Sequence, residues 1–248
     1  MEEFLIDMPM PQLYSNSFFH YTDEEQKVVG ILQNGFMASY ANEQFKDTTR
    51  NIHHIYIPMI CFCDVPLSHI DTIAYGKYAI GMNRAWGNEN RLCPVAYYPN
   101  DTESHLHKYV SSIVEQYLTK QNADANKLLG YVKPFNKFNN DIDYAQGKRK
   151  ENYIEREWRK VYLTDWIDSK GKLEEYEAVN GNKKFKNFKL TFSANDVAFI
   201  IVPNESSKSS LIYNISQIPN ICGQQLNALD RLNLTSKIIT IEQIKENF

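Results

Sequence analysis

Apolar residues recur along this chain of 248 residues with the spacing of strands in some segments and of helices in others, and together these patterns predict a mixed α+β fold. Short apolar runs indicate strands at 18–22, 55–64, 78–82, 94–98, 129–132, 188–192, 197–202 and 238–241. Apolar residues three and four positions apart indicate helices at 28–32, 106–118 and 209–218, and Gly35 is placed to end the first of them. Many short strands and few helices set the class as α+β.

The length is that of one large domain. We therefore expect a single domain over residues 1–248, to which the C-terminal part, about 204–248, could be a small appendage. Two polar stretches without periodicity, 38–53 and 136–151, are predicted to be loops.

The second of these loops leads into 153–163, an aromatic-rich stretch that is apolar enough to be a strand yet carries several charges. Side chains alternate between the two faces of a strand, so Glu155, Glu157 and Arg159 would share one face. Such a face belongs either to a solvated edge strand or to a functional site. Glu157 lies between bulky apolar neighbours, where burying a carboxylate without a purpose would be costly, and this favours a site.

Charge is distributed unevenly, although the net charge is only −3. Residues 133–190 contain fourteen Lys and Arg against ten Asp and Glu, whereas the remainder of the chain is acidic. A basic zone on an acidic protein suits an anionic partner such as a nucleotide or a nucleic acid, but ordinary surface lysines would give the same count. The run Lys148, Arg149 and Lys150 is either a solvated loop or a contact for substrate phosphates.

The four cysteines do not form a disulfide framework in a chain of this length, which indicates a reduced, cytoplasmic protein. No apolar run is long enough to span a bilayer. Cys61 and Cys63 lie one residue apart in an apolar strand, and this is not the spacing of a zinc site, so we expect no metal. A cysteine nucleophile is not supported either, because no recognisable third group orients a cysteine and a histidine.

One chemistry does fit the order of the polar and aromatic residues, namely cleavage of a nucleoside C1′–N bond. That reaction builds a cationic ribosyl transition state, which a nearby carboxylate can stabilise. A flat leaving group such as nicotinamide can stack on an aromatic ring, and a histidine or threonine can hold a ribose hydroxyl. The chain supplies these parts in sequence: His20 with Tyr21 and Thr22, then Phe62 and Tyr75, then Glu157.

The same residues resemble the motifs of ADP-ribosyltransferase-like domains. The segment 19–22 followed by 31–36 resembles their opening strand and helix, 60–68 with Tyr75 resembles their second motif, and 155–157 resembles their third. The resemblance implies two small twisted, mainly antiparallel sheets, NAD as co-substrate, and Glu157 as the catalytic carboxylate. Cys61 stands where that second motif often has a tyrosine, which leaves open whether Phe62 or Tyr75 stacks on nicotinamide.

The longer combination of 19–22, 58–68, 75–81 and 155–159 is similar to the AbiGi family of abortive phage-resistance proteins, over about residues 18–203. Proteins of this kind also carry the description antitoxin, which conflicts with a catalytic role. We therefore carry three hypotheses. The first is a phage-defence toxin that transfers ADP-ribose from NAD to a macromolecule, with nucleic acid (RNA or single-stranded DNA) as acceptor and a cognate antitoxin as partner. The others are a non-catalytic antitoxin and an NAD hydrolase.

Within the transferase hypothesis each candidate residue has a role. Glu157 would hold the nicotinamide ribose, and Arg159 would pair with Glu157 and keep it ionised. Glu155 would either contact the acceptor or simply be exposed. The residues expected to bind NAD are His20, Tyr21, Thr22, Phe62 and Tyr75, and those expected to bind the acceptor are Lys148, Arg149 and Lys150.

Overall fold

The computed structural model describes residues 15–72, 76–120, 127–136, 142–143, 148–149, 151–163, 166–180, 185 and 187–247. Tyr75 and Lys150, both predicted site residues, lie outside the described residues, as do the side chains of Lys148 and Arg149. The described chain confirms the α+β class. None of its helices is both long enough and apolar enough to cross a membrane.

Seven α-helices occur in the described residues. They are α1 (Glu25–Asn34), α2 (Arg84–Glu89), α3 (His105–Leu118), α4 (Lys170–Asn180), α5 (Glu205–Gln217), α6 (Ala228–Ser236) and α7 (Ile241–Asn247). Three 3-10 helices span Leu67–Thr72, Lys127–Tyr131 and Asn152–Glu155.

Sixteen strands, most of them short, complete the described elements. They are β1 (Ser17–Thr22), β2 (Phe36–Met37), β3 (Ser39–Lys46), β4 (Ile52–Cys63), β5 (Tyr78–Asn83), β6 (Cys93–Pro94), β7 (Ala96–Tyr98), β8 (Val132–Pro134), β9 (Ile142–Asp143), β10 (Lys148–Arg149), β11 (Glu157–Val161), β12 (Lys189–Leu190), β13 (Val197–Val202), β14 (Asn220–Ile221), β15 (Gln224–Gln225) and β16 (Ile238–Thr240).

Eight of these strands form one sheet in the order β16-β13-β5-β1-β4-β11-β6, with β3 also paired to β4. The pairing is antiparallel throughout except between β13 and β16. Four two-stranded sheets accompany it in the described residues. The expectation of mainly antiparallel strands is confirmed, whereas the strands join into one larger sheet instead of two small ones.

Helices cover both faces of the eight-stranded sheet, because its central strands carry apolar side chains on both sides. On one face Phe18, Phe62 and Ile80 pack with Leu32 of α1 and Leu211 of α5. On the other face, side chains of β3, β4 and β11 pack against α3, and a smaller cluster packs against α7. Residues 204–247 add β16 to the sheet and helix side chains to the first core.

One difference from the sequence-based elements is β3, which lies within the stretch 38–53 that we predicted to be a loop. That prediction was wrong, because Asn42, Glu43 and Gln44 lower the apolar signal of a strand that is half-buried and pairs along its whole length with β4. Tertiary pairing overrides local propensity at such positions. The strand predicted at 129–132 is also displaced, since a 3-10 helix ends at Tyr131 and β8 follows it.

Gly35 ends α1 as predicted, and the structure indicates a clear test of its role. Its φ is +85°, and a Cβ there would lie 2.5 Å from the Leu190 carbonyl oxygen. We expect Gly35→Ala to lower the free energy of unfolding by about 2 kcal/mol, because both backbone strain and a steric clash oppose the methyl group. Urea denaturation followed by circular dichroism measures this.

Gly30, in the same helix, is the matched control because nothing lies within 4 Å of an added Cβ. Gly30→Ala is expected to raise the free energy of unfolding by up to about 1 kcal/mol through helix propensity alone. Equal effects of the two substitutions would contradict this account of the helix end.

Candidate functional site

The three strands that carry the predicted motifs are neighbours in the sheet, in the order β1, β4, β11. Strands β1 and β4 pair at one register position, Phe19 opposite Cys63, and the ladder does not continue toward Thr22. Beside this interruption lies a cavity of about 430 Å³. The sheet thus places the histidine strand and the acidic strand on either side of β4, with a cavity next to them.

The cavity is lined by three glutamates and one lysine, together with neutral groups. Glu43, Glu155, Glu157 and Lys133 contribute to the lining, and so do Phe19, His20 and Tyr21 of β1 and the two cysteines of β4. Because the acidic side chains come from β3, the 3-10 helix Asn152–Glu155 and β11, the site depends on the tertiary fold and not on one segment.

Glu157 and Arg159 lie on one face of β11, as the alternation predicted, and both are buried. The Arg159 guanidinium donates to Glu157 twice, with Nε 2.8 Å from Oε1 and Nη2 2.9 Å from Oε2. It also donates to Glu43 Oε1 at 2.7 Å and to the Gly130 carbonyl oxygen at 3.0 Å. The fully buried arginine is therefore matched by two carboxylates and a carbonyl group, as such a charge requires.

Lys133 of β8 joins the remaining carboxylates of the cluster. Its ammonium donates to Glu155 Oε2 and to Glu157 Oε2, at 2.9 Å in each case. Glu155 lies in the 3-10 helix before β11 and not in the strand itself, yet its side chain reaches the cluster. Three carboxylates and two cations leave the cluster with one formal negative charge.

Two members of the cluster, Glu43 and Lys133, are not among the site residues predicted from the sequence. Glu43 lies two residues before the buried Phe45, on the same face of β3, and Lys133 lies between the buried residues Val132 and Pro134. That alternation is the available signal, but Glu43 lies in the stretch 38–53 that was predicted to be a loop, and Lys133 lies just beyond the strand predicted at 129–132. A charged residue inside a short alternating run should therefore be examined as a site candidate.

The electrostatics of the cluster keep Glu157 ionised. Burial alone would raise the pKa of the Glu157 carboxyl, but the charges of Arg159 and Lys133 and the hydrogen bonds from Arg159 outweigh burial, so its pKa lies below the ordinary value. The same attractions overcome burial at the two cations and raise the pKa of Lys133 and of Arg159. All three groups are therefore charged near neutral pH.

His20 is half-buried and neutral near pH 7, because burial lowers its pKa more than its hydrogen bond to Cys61 raises it. Its Nδ1 lies 2.8 Å from the Cys61 carbonyl oxygen. A carbonyl oxygen can only accept, so Nδ1 carries the proton and Nε2 is left as an acceptor. His20 is among the residues that line the cavity and is held in one tautomer, while its ring also packs against Phe36 and Phe62, at 5.2 and 5.7 Å between ring centroids.

The thiols of Cys61 and Cys63 also line the cavity, and burial followed by the charge of Glu157 raises the pKa of both. They are therefore protonated, weak nucleophiles at neutral pH. Within the described part of the chain, no group of three or more His, Cys, Asp and Glu side chains is arranged to hold a metal ion.

Phe62 and Thr22 do not take the positions expected of NAD contacts. Phe62 points to the opposite face of β4 from the two cysteines, where its ring packs against Phe36 and Trp86, because side chains of a strand alternate. Thr22 is buried outside the cavity lining, whereas Tyr21 lies within it. The described cavity therefore gathers His20, Tyr21, Glu155 and Glu157, with Arg159 behind Glu157, and leaves Phe62 and Thr22 out.

Comparison with known proteins identifies the family. Residues 34–203, more than half of the chain, match the model of the abortive phage resistance protein AbiGi family, which is described as an antitoxin. An abortive phage resistance protein AbiGi of Lactococcus lactis subsp. cremoris is 27% identical over 227 residues, covering 78% of this chain and 89% of that protein. No solved structure matches the chain. The chain therefore belongs to the AbiGi family of abortive phage resistance proteins.

Proposed function

We propose that this protein is an ADP-ribosyltransferase of abortive phage resistance, which takes ADP-ribose from NAD and releases nicotinamide. The observation that carries the proposal is the adjacency of β1, β4 and β11, which brings His20 and Glu157 to one cavity. The order of the motifs in the sequence predicts that a strand carrying a histidine and a strand carrying a glutamate line the same site.

The charge of the cavity suits this reaction. When the C1′–N bond of NAD breaks, its electron pair stays with nicotinamide and positive charge develops on the ribose. A cluster with one excess negative charge stabilises that cation, and Glu157 is kept ionised to face it. Arg159 and Lys133 donate three hydrogen bonds to the Glu157 carboxylate and the Cys61 thiol donates another, so a ribose hydroxyl would bind there by displacing the thiol, the weakest of these donors.

His20 and Glu155 complete the proposed roles. The unprotonated Nε2 of His20 accepts a hydrogen bond from a ribose hydroxyl. Glu155 takes the proton that the acceptor nucleophile loses as its lone pair forms the new bond to C1′. Because of the basic zone at 133–190, the acceptor we propose is nucleic acid, RNA or single-stranded DNA, and in this role the protein is a toxin held in check by a cognate antitoxin.

A second function, from a different class, is a non-catalytic antitoxin that binds and restrains a toxin. The description of the family favours it directly. The closed network of ion pairs around Glu157 is also compatible with it, since a buried cluster can fix a structure without reacting. In that case the cavity takes no part in chemistry.

Incubation of the purified full chain with adenylate-labelled NAD and separate pools of RNA, single-stranded DNA and protein tests these functions. We expect nicotinamide release at a rate that rises with a nucleic-acid acceptor, and label that remains on that acceptor after denaturation. Release that needs no acceptor would make the protein an NAD hydrolase. If no acceptor supports nicotinamide release and expression of the protein does not slow cell growth, the result would favour the antitoxin function over both enzymatic ones.

A further inference from the structure

We propose that Lys133 is a positioning residue that holds Glu155 and Glu157 at one ammonium and thereby sets the lower pH limit of transfer. The inference rests on the proposed function and deepens it, because it assigns the link between the carboxylate that faces the donor and the carboxylate that faces the acceptor. Its geometric basis is the pair of 2.9 Å contacts from the ammonium to Glu155 Oε2 and Glu157 Oε2.

The elements around Lys133 hold it close to Glu157. Strand β8 pairs in parallel with β7 outside the main sheet, with Lys133 opposite Tyr97. The Tyr97 hydroxyl accepts a hydrogen bond from the Glu157 backbone N–H at 3.0 Å. The two-stranded unit therefore reaches Glu157 at two places, once at the backbone through Tyr97 and once at the carboxylate through Lys133.

The 3-10 helix that carries Glu155 is tied to the same unit by Asn152. Its backbone N–H donates to the Phe135 carbonyl oxygen, and its Nδ2 donates to the Pro134 carbonyl oxygen, both at 2.8 Å. Asn152 is itself buried. The backbones that present Lys133 and Glu155 are thus hydrogen-bonded to each other through Asn152, which keeps the ammonium and both carboxylates within reach of one another.

Removal of the ammonium would leave two carboxylates that share one site. Like charges so placed disfavour ionisation of the pair, so protonation would begin at a higher pH than in the native protein. Arg159 would still face Glu157, which preserves part of the stabilisation. The other titratable groups that face this pair are Glu43 of β3, Cys61 and Cys63 of β4, His20 and Tyr21 of β1, and Tyr97 of β7.

The test compares pH–rate profiles of NAD turnover for the wild type, Lys133→Met and Lys133→Arg. We expect the ratio of the rate at pH 5 to the rate at pH 8 to fall about tenfold in Lys133→Met and to stay near the wild-type ratio in Lys133→Arg. Lys160→Met is the matched control, since Lys160 lies on β11 and its ammonium donates to a backbone carbonyl, that of Asn90 at 3.0 Å. An unchanged pH profile in folded Lys133→Met would overturn the inference.

A second readout keeps this test separate from the proposed reaction. Titration of carboxyl-¹³C-labelled glutamate by NMR, with the Glu157 signal assigned from Glu157→Gln, should show protonation at higher pH in Lys133→Met even if the wild type turns over no NAD. Absent turnover would therefore defeat the proposed function alone, whereas an unmoved titration would defeat the role of Lys133. If Lys133→Met does not fold, Lys133→Gln removes the charge while keeping a polar side chain in the cavity.

Discussion

Glu157→Gln is expected to lower NAD turnover by at least about a thousandfold while leaving a folded protein. The loss follows because the amide carries no negative charge to stabilise the ribosyl cation, and electrostatic groups aimed at developing charge make contributions of this size. Nicotinamide release under saturating NAD, in the presence of the best acceptor pool, is the measurement.

The fold should survive this substitution because each cation of the cluster keeps a carboxylate. Arg159 retains Glu43, and Lys133 retains Glu155. We expect a decrease in the free energy of unfolding of about 1 to 3 kcal/mol, which is the cost of weakening a buried polar network. Turnover that persists at the wild-type rate would remove Glu157 from the catalytic role.

Asp64→Asn is the control for destabilisation alone. Asp64 is a buried carboxylate that lies 2.7 Å from Arg84 and just after β4, but it does not line the cavity. Its substitution also weakens a buried carboxylate–guanidinium pair close to the site. If the two variants lose similar stability but only Glu157→Gln loses turnover, the effect of Glu157 belongs to the chemistry.

The sequence allowed the acidic face of β11 to be predicted because that prediction depends only on local alternation. Glu157 and Arg159 share a buried face, and Trp158 packs on the opposite side against Phe18. The same rule, applied to β4, should have separated Phe62 from the cavity, since Cys61 and Cys63 occupy the face toward Glu157. The resemblance to the second motif favours Phe62 as a nicotinamide contact, whereas the strand period places its ring on the opposite face, against Phe36 and Trp86.

The charge balance of the site could not be predicted in this way. Glu43 meets Arg159 across 116 residues of sequence, and Lys133 meets Glu157 across 24. Such pairs depend on how β3, β8 and β11 assemble, and no local pattern encodes that assembly. The nearly closed ion network is therefore a property of the tertiary structure, although Glu43, Lys133, Glu157 and Arg159 each lie in a short strand.

Arg159→Met is expected to be the most destabilising single change in the site, lowering the free energy of unfolding at pH 7.5 by about 3 to 5 kcal/mol. Methionine fills much of the same space, but Glu43 loses its ion-pair partner and Glu157 keeps only Lys133. The Gly130 carbonyl oxygen also loses a donor. Urea denaturation monitored by tryptophan fluorescence gives the value.

The pH dependence of this loss distinguishes uncompensated charge from lost packing. In the wild type the pKa of Glu157 is held below its unfolded value, so its contribution to stability is present above about pH 4.3 and disappears as the pH falls through the folded pKa. Without Arg159, burial is no longer outweighed, the folded pKa rises, and the folded state binds protons more readily than the unfolded state. Stability of the variant should then increase as the pH falls, so its deficit relative to the wild type should be smaller at pH 5.5 than at pH 7.5.

Removing the Glu157 carboxylate as well tests independently whether uncompensated charge causes the loss of stability in Arg159→Met. Arg159→Met combined with Glu157→Gln should be more stable at pH 7.5 than Arg159→Met alone, because the amide does not have to be buried as an ion. If the loss of stability in Arg159→Met came instead from a cavity that methionine does not fill, Glu157→Gln would lower the stability further. The stability difference from the wild type would then be the same at both pH values. A recovery in the double variant would instead show that Arg159 acts on the stability of this protein by matching the charges that the site requires.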